Sequence, residues 1–194
     1  MKFSPVLLSN LIIVPLRYFF SEYYANTGFR WDEDEKLRTV EVGRYYDFHK
    51  LKISDIPRVL VNRGTYKISK TSLTDNMLFA PTSRDSAGAP NRQNLLFIDG
   101  TATITIEARN LGTCEILADI VSHFITWTRP LICDTQGFKE FGLDCMVTEP
   151  QLSREDSEKF VIQISVPYFM EEEWQILFDG IKLKNIISTV TPNL

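Results

Sequence analysis

Two histidines, His49 and His123, are the residues on which a hydrolytic triad or a zinc site in this 194-residue chain would have to draw. They fall in separate stretches, and the place four residues after His123, where a helical zinc site would put its second ligand, is taken by Trp127. A lone histidine on a helix reads as a surface or interface residue, because zinc needs three or four ligands. His49 with the nearby Asp47 is the one pairing that could serve an acid or base. The cysteines Cys114, Cys133 and Cys145 are odd in number and widely spaced, so they read as reduced, mostly buried thiols in a cytosolic setting.

The remaining polar residues are no closer to a catalytic arrangement. No serine has the glycine-flanked context of a nucleophile elbow, and no glycine-rich loop has phosphate-binding spacing. Asp32 to Glu35 and Glu171 to Glu173 are contiguous carboxylate runs. Acid and base pairs come from separate elements that push their pKa values apart, and calcium loops space their ligands, so these runs read as solvated faces. The expectation is a protein without catalytic residues, metal or cofactor.

A net charge of -4 argues against gripping nucleic acid as the main task. Arg58, Arg63, Lys67 and Lys70 form a modest basic strip, better explained as the guard of an edge strand than as a phosphate site. The apolar run from Val6 to Leu16 is interrupted by Asn10, closed by Arg17, and shorter than the ~20 residues that span a bilayer. It is read as part of a helix, not as a cleaved signal, and no membrane is expected as partner.

The elements that would position any site follow from periodicity. A first helix is predicted from Ser4 to about Tyr24, kinked or split at Pro15. Strands are predicted from Thr39 to His49 and from Arg58 to Ile68, the second bent at Gly64. A long polar loop from Ser69 to Gln93 follows. Alternation marks a strand from Thr101 to Ala108, and further strands from Phe141 to Val147 and from Phe160 to Tyr168, the last two expected to pair. Between them a helix is capped by Asn110 or Thr113 and stopped by Pro130, with Cys114, Leu117, Ala118, Val121, Phe124 and Ile125 as its core stripe. The predicted class is α+β: an antiparallel or mixed sheet with helices packed on one face and a long loop after the second strand. The whole chain, 1–194, reads as one domain: a helical segment and acidic loop (1–38), a core sheet and central helix (39–170), and an amphipathic tail (171–194).

Ile116, Ile120 and Trp127 recur on another face of that helix. Leaving them in water would forfeit on the order of 5 kcal/mol, so either the first helix or another subunit should cover them. The apolar tail, including Trp174 and Phe178, must also dock somewhere. These five residues are the expected contacts with a second copy or a partner.

The phrase Pro57-Arg58-Val59-Leu60-Val61-Asn62-Arg63-Gly64-Thr65-Tyr66, the long loop, and the strand into Glu107-Ala108-Arg109 resemble tail terminator and neck proteins of tailed bacteriophages. The helix from Cys114 to Trp127 and the late strand to Tyr168 continue the pattern, which spans about Val40 to Trp174. The resemblance implies a virion protein, made in the host cytoplasm, that closes into a ring, expected to be a hexamer, at the end of the tail. It would bind the tail tube protein on one side and a head-side connector or adaptor on the other. DNA would pass through the lumen without sequence-specific binding. Extra length at both ends leaves room for another head-tail connector or tail-completion component. A small-ligand-binding domain and an enzyme rank below these readings.

Overall fold

The computed structural model describes residues 5–22, 28–48, 55–70, 81–84, 90–153, 158–179 and 182–188. His49 and the parts of the predicted long loop at 71–80 and 85–89 lie outside them. Among the described residues ten strands form one sheet organised on two very long neighbours, β5 (Pro90–Ala108) and β9 (Phe160–Asp179). These run antiparallel in unbroken register from Arg92 opposite Ile176 to Ala108 opposite Phe160.

On the outer side of β5 lie β2 (Arg58–Asn62), β3 (Tyr66–Lys70) and β4 (Pro81–Arg84), each antiparallel to it. β1 (Glu41–Arg44) adds to β2 in parallel, so the sheet is mixed. On the outer side of β9 lie β6 (Phe138–Phe141), β7 (Met146–Val147), β8 (Gln151–Leu152) and β10 (Lys182–Ser188). A four-residue helix, α2 (Tyr45–Phe48), follows β1.

Two helices cover one face, as the α+β class requires. α1 (Pro5–Glu22) contributes Leu8, Ile12, Leu16 and Phe20, and α3 (Leu111–Gln136) contributes Cys114, Leu117, Val121 and Ile125, all to one core. Beneath them lie Val59 and Val61 of β2, Ile104 and Ile106 of β5, and Ile162, Ile164 and Val166 of β9. These residues occupy alternate positions, so one face of each strand supplies the whole apolar layer. The other face of β5 presents Thr103, Thr105 and Glu107.

Several expected boundaries move. α1 runs unbroken through Pro15, because Ile12, Ile13, Leu16 and Phe19 on either side of it are buried and hold the helix against the sheet. α3 likewise passes Pro130, with buried Ile132 anchoring its last turns and Gly137 closing it in the left-handed conformation at φ 74°. Its N-cap is Asn110, whose side chain accepts from the Thr113 amide at 3.3 Å. The first predicted strand shortens to β1, and the predicted strand 141–147 divides into β6, a turn and β7. β6 and β7 both pair with β9, as expected.

The bend at Gly64 separates β2 from β3. Both strands pair with β5, and Gly64, at φ 65°, lies against the Thr101 carbonyl where one pairing hands over to the other. A Cβ there would stand 1.8 Å from that oxygen. The Thr101 amide donates to Thr65 O at 2.9 Å and pins the bend.

The largest departure is at the far end of the sheet. Part of the predicted loop is strand (the last two residues of β3, all of β4 and the first four residues of β5), and the predicted tail is the second half of β9 followed by β10. β9 does not end at Tyr168, and the described core closes at Ile98 and Met170, which pair across β5 and β9. Past that row β5 and β9 run on as a ribbon for about 25 Å at ~3.3 Å per residue, joined by β10 alongside Trp174–Asp179 and by β4 alongside Pro90–Arg92. Phe97 and Phe169 stack at its root, 5.5 Å apart and nearly parallel.

Candidate functional site

α1 is apolar on both sides. At 100° per residue, Leu7, Val14 and Tyr18 form a stripe opposite the core-facing arc of Leu8, Ile12, Leu16 and Phe20, and all three are exposed, Val14 to 63 %. The outer stripe is thus apolar surface that no described residue of the protein buries.

α3 adds to this surface. Ile116 is 54 % and Trp127 62 % exposed, while Ile120, expected on the same face, is buried at 8 %. The rotation explains the difference: Ile120 stands three residues after Leu117 and four before Phe124, both in the core, and is turned inward with them. α1 covers part of this face, since Phe19 meets Phe124 at 5.1 Å and Trp127 at 6.3 Å. The indole still keeps most of its surface in water. Trp174 and Phe178 lie on the ribbon, far from these helices in the sheet's register. Trp174 pairs with Asn94 and Ser188, and Phe178 with Leu183. The five residues expected at an interface thus divide between the helix layer, the core and the ribbon.

Sequence reasoning marked one edge strand by its basic strip but not the apolar side chains exposed along the two edges. Tyr66 and Ile68 on β3 are exposed, and across the sheet so are Met146 and Val147 of β7 and Leu152 of β8, Met146 to 72 %. β3 pairs only with β5, and β7 and β8 only with β9, so among the described residues both outer edges are open. The basic strip was the available signal for the first edge. Lys67 and Arg63 are exposed there, and the Arg63 guanidinium lies 5.9 Å from the Tyr66 ring centre. Arg58 does not belong to it: β2 is flanked by β1 and β5, and Arg58 is buried opposite Glu107.

The residues that could do chemistry are placed apart. His123 is exposed, its Nδ1 2.9 Å from Asp119 O and its ring 5.9 Å from that of Trp127. Cys114 is buried with Sγ 3.6 Å from the Ile106 and Phe160 carbonyls, and burial pushes its thiol up to about 11. Burial also raises Cys133 and Cys145. All three are free thiols held protonated at neutral pH, which makes them poor nucleophiles. Among the described residues no three His, Cys, Asp or Glu side chains come together as a metal site.

The acidic loop satisfies itself. Asp32 accepts from the Asp34 amide and from Arg30, which together hold its carboxyl below the usual range. Asp34 caps the short turn Glu35–Leu37, and Arg38 pairs with Glu41 at 3.1 Å. Trp31 lies between the guanidinium groups of Arg17 and Arg38, at 4.8 and 5.5 Å, which fastens the loop to α1.

A groove of about 430 Å³ opens on the face away from the helices, between Tyr45 and the β7–β8 segment. Thr105, Glu107, Thr148, Gln151, Ser153 and Gln163 dominate its lining. It is a wet trough, without the apolar enclosure that buries a small ligand. No helix among the described residues is long and apolar enough to cross a membrane. Compared with protein-family models and with curated proteins, the sequence gives no match.

Proposed function

We propose that this protein is a structural component of a tailed-bacteriophage neck, of the tail-terminator kind, and that copies of it close into a ring at the end of the tail tube. The observation that carries the reading is the distribution of unburied apolar side chains: an outer stripe on α1, Trp127 and Ile116 on α3, and both edges of one sheet. Isolated exposed residues need no explanation, but stripes and paired edges call for cover. Because the two edges differ and lie on opposite sides, the contact they favour joins unlike surfaces, and such contacts build rings when the rotation closes.

The ribbon supports the same reading. The extension of β5 and β9 past the core row by about 25 Å, flanked by β4 and β10 at its far end, gives a length suited to contacting a neighbouring ring or the tube beneath it. The net charge of -4 suits a conduit that lets DNA pass without holding it. The tail tube protein and a head-side connector are the partners this role requires, and the location is the virion neck.

The test is to add the protein to tail tube protein as it polymerises. Tubes should stop growing and carry an extra ring at one end. Tubes that lengthen unchanged and end bare would refute the terminator role.

A further inference from the structure

We infer that neighbouring copies join edge to edge, the β3 edge of one against the β6–β8 edge of the next. The inference rests on the ring reading for its closed geometry, but its residues come from the sheet. The first edge is apolar and basic: Tyr66 and Ile68 are exposed on β3 beside Arg63 and Lys67, with Asp99 one strand further in, across from Lys67. Next to it is a cavity of about 190 Å³ lined by Ser9, Arg44, Tyr46, Val61, Asn62 and Arg63. The opposite edge is apolar and acidic: Met146, Val147 and Leu152 are exposed with Glu140, Asp144 and Glu149. The one exposed base on β6, Lys139, is drawn away to Glu171 at 3.4 Å.

The charges decide which pairing forms. Open strand edges offer unpaired amides and carbonyls to any other edge, and charge placed along them selects among partners. Two β3 edges brought together set Arg63 and Lys67 against their own copies, and two β6–β8 edges set carboxylate against carboxylate. Only unlike edges attract. That selects head-to-tail addition over a two-fold dimer, and the apolar side chains on both edges lose water in the same contact.

The experiment uses two charge-reversed full-length chains, Arg63→Glu/Lys67→Glu and Glu140→Lys/Glu149→Lys. All four residues are exposed, so both chains should keep the wild-type melting midpoint. Each alone should associate at least about tenfold more weakly, because its two edges now carry the same sign. Mixed in equal amounts they should recover the wild-type assembly, because every contact between unlike chains is again complementary. Native mass spectrometry should then show equal numbers of each chain in an even-membered ring.

Rings that form normally from either variant alone would overturn this interface and leave the ring itself standing. Variants that fail alone and are not rescued by mixing would also overturn it. A wild-type chain that never associates, alone or on tail tubes, would remove the ring reading and this inference together.

Discussion

Phe19 on α1 meets Trp127 on α3 edge-on, with ring centres 6.3 Å apart and planes at 71°. The contact fixes the end of one helix against the middle of the other, yet it covers one side of the indole only. Ile120, less than two turns earlier on α3, is buried while Trp127 is 62 % exposed. Polar substitution should therefore separate folding from assembly. Ile120→Asn should cost about 3 kcal/mol or more of folding stability, read by urea denaturation, because it strands an amide in the core. Trp127→Gln should cost about 1 kcal/mol through the lost ring contact, while weakening self-association much more. Equal losses of stability from both would place Trp127 in the core.

Gly64→Ala should be among the most damaging single substitutions. The added carbon would stand 1.8 Å from Thr101 O in a backbone conformation that L side chains rarely adopt. A loss of more than about 2 kcal/mol in chemical denaturation is expected, since backbone and not a flexible side chain must move. Tolerance of alanine would mean that β2 and β3 do not share β5 as described.

Cys114 gives the protein an alkaline weakness. Its thiol loses a proton near 9.0 in the unfolded chain and near 11 in the buried site, so the contribution is fully present below pH 9. Between those values the unfolded state binds fewer protons, and stability falls as pH rises, by on the order of 2 kcal/mol. Cys114→Ala should remove this fall while leaving a small cavity cost that does not depend on pH. At pH 8 the native Cys114 should also react with a thiol reagent far more slowly than the denatured chain.

Tyr168 is almost fully buried, and its hydroxyl has no hydrogen-bond partner among the described residues. Burial, followed by the neighbouring Tyr66, raises its pKa above the ordinary value. Tyr168→Phe should leave stability unchanged or raise it by up to about 1 kcal/mol, because it removes a donor that is desolvated without compensation. A loss of that size in thermal or chemical unfolding would show that the hydroxyl is satisfied in solution.

The parts of the fold legible in the sequence are those where burial imposes a period. The α3 stripe from Cys114 to Ile125, the alternation from Thr101 to Ala108 and that from Phe160 to Tyr168 all face one core, and each showed as a pattern. The ribbon did not: its strands run through Pro90-Asn91-Arg92-Gln93 and Glu171-Glu172-Glu173, polar stretches in which no apolar alternation can show. The prolines misled for a related reason. Pro15 and Pro130 each remove one amide, but buried neighbours such as Leu16 and Ile132 outweigh that loss, and sequence gives no measure of tertiary support.

The candidate surface was legible to the extent that it lies on one helix. Helical spacing brought out Ile116 and Trp127, whereas the inward turn of Ile120 depends on how α3 sits on the sheet. The edge carrying Arg63 and Lys67 announced itself by charge. Its acidic counterpart did not, because Glu140 and Glu149 lie on either side of a turn that the alternation from Phe141 to Val147 concealed.

Sedimentation velocity of the wild-type chain, with native mass spectrometry of the same sample, tests the central claim most directly. The account predicts one closed species of defined stoichiometry, expected at six copies of the 22.4-kDa chain, forming alone or when tail tubes are added. A single 22.4-kDa particle at every concentration up to about 100 μM, with tubes present or absent, would contradict it.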